Sequence, residues 1–415
     1  MNREVWITAY GVRSPMGNDE AAFDAALFAG RSAVRADELV LPGIAPTLVP
    51  LARCEFDFAA VASPSKLPLD RGTAMALASV RDARAMAGLS DPPANPERLG
   101  LFWGSGMGGA ATFDATCRTV YAEHRRIRPT TVVTTMPNAP VAELGLLLRA
   151  QGMALGYACA CASAAVAIGE AMRAVASGRV DVAVAGGSEA LLSPGVIASW
   201  LAMRVLAPLG ASRADAEAMA PSSCRPFAAD RAGFALGEGA AAFVLESADH
   251  ARGRGAACIA RLAGYATNCD GLHITQPDAG GQERALRAAL ADAGLGPEEI
   301  GYVNAHGTAT VAGDAAEAAS IARVFGAGGV PVSSTKAIHG HLLGAGGAVE
   351  LLAALRALLC RRLPPQANTE RMDPAFAIDL VASGGRDERD LVHAVSNSFA
   401  FGGTNAVLVL SRADL

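Results

Sequence analysis

The chain has little charge. Asp, Glu, Lys and Arg make up 18% of its 415 residues against 51% hydrophobic residues. That balance excludes a disordered chain and calls for a large buried core with a buried subunit interface. The net charge is −5, so the positive excess of a nucleic-acid binder is missing, and an acidic partner would have to dock on a local basic patch. No Ser/Pro linker, charge run or short-period repeat interrupts the chain, and its 45 glycines are spread through turns. No signal-peptide pattern is present at the start, which reads as a charged residue or two and then a strand. The uncharged window 151–169 is mostly Ala, Gly, Cys and Ser, too weakly hydrophobic to span a bilayer. Eight irregularly spaced cysteines without a secretion signal point to reduced thiols and a cytoplasmic location.

What is there is an alternation of short apolar runs with helical patterns. Residues 5–12, 99–104, 180–187 and 238–246 read as strands, with a helix over 164–178. The scheme then repeats. Residues 257–266, 300–305, 391–396 and 406–411 read as strands, and 281–294, 317–325 and 345–360 as helices. The alternation predicts an α/β fold, and the like order of the two halves suggests an internal duplication near residue 250, giving halves 1–250 and 251–415.

Three residues carry the chemistry. Cys161 lies in Ala158-Cys-Ala-Cys-Ala-Ser163, where a turn becomes a helix. Backbone N–H groups at a helix start favour negative charge, so its thiol is expected to have a lowered pKa. His306 follows an apolar strand and opens a Gly-Thr turn, and ligands collect at the carboxyl ends of strands in open α/β sheets. His341 sits between Gly340 and Leu342. Taken singly, each of the three also reads as a buried structural residue. Cys159, Cys161, His339 and His341 supply two sulfurs and two imidazoles, but at narrower spacing than structural zinc sites use, so no metal is expected. The glycine loop Gly104-Ser-Gly-Met-Gly-Gly109 follows a strand without the acidic residue of a dinucleotide fingerprint, and no P-loop is present. It reads as a tight loop near the site, and no cofactor is expected.

Together the motifs resemble the β-ketoacyl-acyl-carrier-protein synthases, and most of all the synthase II-type elongating enzymes. The likeness runs from Val5 to Leu410 through the Cys161 elbow, Val182-Ala-Val-Ala-Gly-Gly-Ser-Glu189, Arg225-Pro-Phe, Arg231-Ala-Gly-Phe-Ala-Leu-Gly-Glu-Gly239, His306-Gly-Thr-Ala-Thr310, Lys336 with Gly340-His341, and Asn397-Ser-Phe-Ala-Phe-Gly-Gly-Thr-Asn405. The resemblance implies a thiolase-like five-layer α-β-α-β-α sandwich, a homodimer or a heterodimer with a related chain-length subunit, and an acyl carrier protein as partner. It implies a decarboxylative Claisen condensation in fatty acid, polyketide or polyene synthesis. Cys161 would take the acyl chain, with its own N–H and that of Phe401 as oxyanion hole. His306 and His341 would bind the malonyl thioester oxygen. Lys336 would support the histidine loop and Glu317 the His306 loop. Thr308 and Thr310 would line the pantetheine arm, Phe401 would gate the tunnel, and Met107, Trp200 and Phe399 would contact substrate. Arg125, Arg126, Arg128 and Arg204 would receive the carrier.

Four departures stand out. His339 replaces a usual Thr, Val311 a Pro and Ala228 an Asp, while Leu67 and Pro68 fall where basic residues often dock the carrier. The rival of the same fold, a non-catalytic chain-length subunit, usually lacks the cysteine. A thiolase would need a second reactive cysteine near the C-terminal glycine loop, and a chalcone-type enzyme would pair the cysteine with His and Asn.

Overall fold

The computed structural model describes residues 3–41 and 43–413; Met1 and Asn2, where the segment read as leaderless begins, lie outside them. In the first half, strands β1 (Val5–Arg13), β2 (Leu99–Gly104), β3 (Ala154–Tyr157), β4 (Val182–Glu189) and β5 (Gly239–Ser247) pair in the order β1-β5-β4-β2-β3. The second half has β6 (Ala260–Cys269), β7 (Tyr302–Asn304), β8 (Pro331–Ser333), β9 (Asp379–Leu380), β10 (His393–Phe399) and β11 (Thr404–Arg412). These pair as β6-β11-β10-β7-β8, with β9 added at the edge. Both halves therefore share one winding. Their first two pairings are antiparallel and the next two parallel. Two residue pairs, Trp6 with Arg261 and Ile7 with Ala260, join the two sheets.

Six helices complete the layers. α1 (Arg71–Ala87) and α2 (Ala139–Leu148) cover the outer face of the first sheet. α3 (Ser163–Ala176) and α6 (Gly346–Cys360) lie between the sheets, and α4 (Ala279–Ala293) and α5 (Val311–Phe325) cover the second sheet. The result is the thiolase-like α-β-α-β-α sandwich.

The composition of the middle layer follows from its position. All of α3 except Glu170 and Arg173 is buried, as is α6 up to Leu358. Small side chains let helices approach sheets and each other closely. A Cβ at Gly169 would stand 2.2 Å from the Tyr265 ring, and one at Gly347 would stand 2.9 Å from Ala165. The stretch Leu343–Cys360 is long and apolar enough to cross a membrane, but it is 89% buried and serves as this central core helix.

Several expected boundaries shift, the strand over 257–266 to Ala260–Cys269 and that over 180–187 to Val182–Glu189 among them. The helix expected over 317–325 begins at Val311, because the Thr310 hydroxyl accepts the Gly313 N–H and caps it there. The strand expected over 300–305 narrows to Tyr302–Asn304.

Candidate active site

Cys161 occupies the single 3-10 turn Ala160–Ala162 that leads into α3. Ala160 adopts φ 48°, a left-handed conformation costly for a residue with a Cβ. The Ser163 hydroxyl donates to the Ala160 carbonyl (2.6 Å) and accepts the Cys159 N–H (2.9 Å), which locks the turn. His306 follows β7, and its backbone N–H and that of Gly307 donate to the buried Glu317 carboxylate at 2.8 and 2.6 Å. Asn397 on β10 donates to the same carboxylate at 3.0 Å. His341 is held by its own backbone, with its N–H donating to the Ala235 carbonyl (2.7 Å) and its carbonyl accepting the Gly237 N–H (2.9 Å).

These three side chains meet. His341 Nε2 lies 3.1 Å from Cys161 Sγ. The two imidazoles stand edge to face, 5.4 Å between centroids. Their tautomers follow from the partners of the other ring nitrogen. The Leu343 N–H donates to His341 Nδ1 at 3.3 Å, and the Lys336 ammonium donates to His306 Nδ1 at 3.2 Å. Nδ1 is thus an acceptor in both rings, which leaves the proton on Nε2 in each. Burial holds both histidines well below their usual range, and the Lys336 charge pushes them further down. The site therefore presents two neutral imidazoles, each an N–H donor and neither a cation.

Lys336 is fully buried and pairs with Glu350 of α6. Glu350 was absent from the sequence reading. A lone carboxylate in a helix whose only other charged residue is Arg356 is the available signal, since a buried charge needs a partner.

The expected lowering of the Cys161 pKa is overturned. Burial pushes the thiol up to about 12, against the opposing pulls of Lys336 and the Phe401 N–H. Desolvation outweighs the helix start here because the sulfur is enclosed.

A cavity of about 270 Å³ opens over this cluster. Cys161, His306, His341, Thr308, Thr310, Glu317, Trp200, Phe399 and Phe401 all line it. The Thr308 and Thr310 hydroxyls are 2.9 Å apart. Trp200 stacks on Phe401 (6.1 Å) and meets Phe234 edge-on (5.7 Å), and Phe234 in turn packs on His341 (5.1 Å). Met107 is not brought in. It is 47% exposed and lies outside this cavity. Arg125, Arg126 and Arg128 border a separate hollow of about 340 Å³ with several threonines. Arg204 is exposed and stands apart from them. The Cys159, Cys161, His339, His341 quartet does not converge. His339 Nε2 bonds Thr335 at 3.0 Å while His341 faces Cys161, and among the described residues no group of three or more such side chains could hold a metal.

Comparison with known proteins gives the same outline. Residues 2–251 match the model of the beta-ketoacyl synthase N-terminal domain and residues 259–370 that of the C-terminal domain. The chain is 41% identical over 347 residues to Nodulation protein E of Rhizobium leguminosarum bv. trifolii, covering 83% of each. It is 35% identical to 3-oxoacyl-[acyl-carrier-protein] synthase 2 of Staphylococcus aureus (strain COL), covering 100% of this chain and 99% of that one. A solved structure described as the ishigamide ketosynthase/chain length factor superposes with a TM-score of 0.89 at 29% identity, covering 99% and 100% of the two chains.

Proposed function

Because the chain belongs to the β-ketoacyl synthase family, we propose that its decarboxylative Claisen condensation runs on Cys161, His306 and His341. The reaction joins an acyl thioester to malonyl-carrier protein and yields a 3-oxoacyl-carrier product. Cys161 Sγ attacks the acyl thioester, the carrier thiol leaves with the proton, and the acyl chain stays on sulfur. The two Nε2–H groups donate to the malonyl thioester oxygen. Loss of CO₂ then leaves an enolate whose charge they stabilise, and donors fixed on such charge contribute about 3 kcal/mol each. The enolate carbon attacks the acyl-Cys161 carbonyl, and Cys161 leaves as a thiolate that takes a new proton from water, its first having gone with the carrier thiol. The N–H groups of Phe401 and Cys161 would bind the oxygen of that second addition. The observation that carries this reading is the 3.1 Å approach of His341 Nε2 to Cys161 Sγ, with each Nδ1 facing a donor, Leu343 N–H for His341 and the Lys336 ammonium for His306.

Thr308 and Thr310 would receive the pantetheine arm, and the Trp200–Phe401 stack would form the gate. Arg125, Arg126 and Arg128, with Arg204 nearer the mouth, would dock the acidic carrier. A like or related subunit would cover the open edge strand β3 and the helix Ala110–Tyr121, which buries none of its own residues. Met107, half exposed on that face, would line the acyl chain once the face is covered. Residues 1–250 would act as the nucleophile-bearing half and 251–415 as the histidine-bearing half of one cytoplasmic enzyme, in fatty acid or polyketide synthesis. Incubation with a panel of acyl-carrier thioesters, followed by intact-protein and peptide mass spectrometry, tests the reading. An acyl adduct on Cys161 supports it, and an adduct confined to another cysteine overturns it.

A further inference from the structure

Glu189 ends β4 fully inside the protein, and no cation pairs with it among the described residues. Its carboxylate instead collects four donors. Oε1 accepts the Ser105 hydroxyl (3.1 Å) and the Met107 N–H (3.4 Å). Oε2 accepts the Gly106 N–H (2.5 Å) and the Gly344 N–H (3.1 Å). The first three donors belong to the glycine loop after β2, and the fourth belongs to the turn that follows His341.

The two segments touch through this carboxylate. A Cβ at Gly344 would fall 2.2 Å from the Gly106 nitrogen and 2.4 Å from Glu189 Oε2. A Cβ at Gly106 would come 2.8 Å from Glu189 Oε2 and 3.5 Å from the carbonyl of Ala160, the residue before Cys161. Next to Gly344, the Leu343 N–H holds His341 Nδ1. One carboxylate thus ties the glycine loop, which packs beside the Ala160–Ala162 turn, to the turn that orients the imidazole partner.

We propose that Glu189 is a positioning residue that sets the separation of Cys161 Sγ and His341 Nε2 by binding the glycine loop to the His341 turn. It touches no reacting atom and acts through Gly106 and Gly344. A merely structural role, satisfying buried amides, would change melting temperature alone.

The inference rests on the condensing activity, so the full-length protein is assayed for malonyl-carrier decarboxylation together with thermal melting. A wild-type protein that does not decarboxylate defeats the functional reading. A wild-type protein that does, with a rate indifferent to Glu189, defeats only this inference. Glu189→Gln keeps an oxygen for Gly106 and Gly344 when its amide nitrogen turns to Ser105, whose hydroxyl can also accept. It should keep kcat within about threefold, while Glu189→Ala should lose about tenfold or more in kcat at unchanged KM, because small misplacements of reacting groups are costly. Iodoacetamide labelling of Cys161 should change in Glu189→Ala and not in Glu189→Gln. An alanine variant with wild-type kcat, a glutamine variant as impaired as the alanine one, or a loss confined to KM would each overturn the proposal. If the alanine variant does not fold, Glu189→Asp decides the matter. It draws the carboxylate back by one methylene, so a kcat loss of about fivefold at unchanged KM supports the proposal and wild-type kcat overturns it.

Discussion

The turn that opens α3 and the turn that opens α6 are built alike, yet only one carries a thiol. Ala160–Ala162 and Leu343–Ala345 are both single 3-10 turns leading into the two helices of the middle layer. Each begins with a left-handed non-glycine residue, Ala160 at φ 48° and Leu343 at φ 49°. The middle position is Cys161 in the first and Gly344 in the second. The loops after β2 and β7 correspond in the same way. Each gives two successive amides to a buried carboxylate, Gly106 and Met107 to Glu189, His306 and Gly307 to Glu317. The first loop is glycine where the second is His306. On the proposed reading a duplicated scaffold divides the labour: the first half would supply the sulfur and the second half the two imidazoles that stabilise the enolate. Neither half would hold a complete site, and the two meet where His341 Nε2 lies 3.1 Å from Cys161 Sγ.

The largest effect should come from the sulfur. Cys161→Ala should abolish acyl loading and condensation with a native melting profile, as seen by intact mass and circular dichroism. The second half should be nearly as sensitive in a different step. His306→Ala and His341→Ala should each lower malonyl decarboxylation by about a hundredfold or more while loading partly survives. His339→Ala should be milder, since its ring bonds Thr335 and not the cavity. Equal damage from His339→Ala and His341→Ala would break the assignment of His341.

Stability sharpens the comparison further. Removing either Lys336 or Glu350 leaves its partner as an unpaired buried charge, so Glu350→Ala should cost about 3–5 kcal/mol in denaturant unfolding. Thiol chemistry gives a pH test. With the Cys161 thiol pushed up to about 12, its alkylation rate should climb roughly tenfold per pH unit from pH 7 to 10, because the thiolate is the reactive form. A plateau below pH 9 would mean that the helix start outweighs burial after all. The smallest effect belongs to Trp200→Ala. Its ring is half-buried against Phe401 and Phe234, so the acyl-chain preference should broaden with a stability loss below about 2 kcal/mol.

Much of this was legible in the sequence because it rests on local pattern. Residues 99–104 and the alternation of apolar runs with helices were readable from periodicity, and the Cys161, His306 and His341 motifs from their small-residue turns. What was not legible depends on contacts far apart in the chain. Nothing near Cys161 in sequence says that the sulfur is enclosed, so the helix start alone gave the wrong direction for its pKa. Glu350 and Glu189 lie on segments that look purely structural, and their partners come from turns 14 and 155 residues away. The start of α5 is not legible either, because the cap that sets it is the Thr310 hydroxyl, inside a turn with no helical pattern of its own.

The division of labour is tested most directly by measuring loading and decarboxylation separately in Cys161→Ala and His341→Ala. Acyl transfer is followed by intact mass and CO₂ release from malonyl-carrier protein by coupled assay. The account predicts opposite losses: Cys161→Ala keeps decarboxylation and loses loading, and His341→Ala loses decarboxylation and keeps part of its loading. Equal loss of both activities in both folded variants would contradict it.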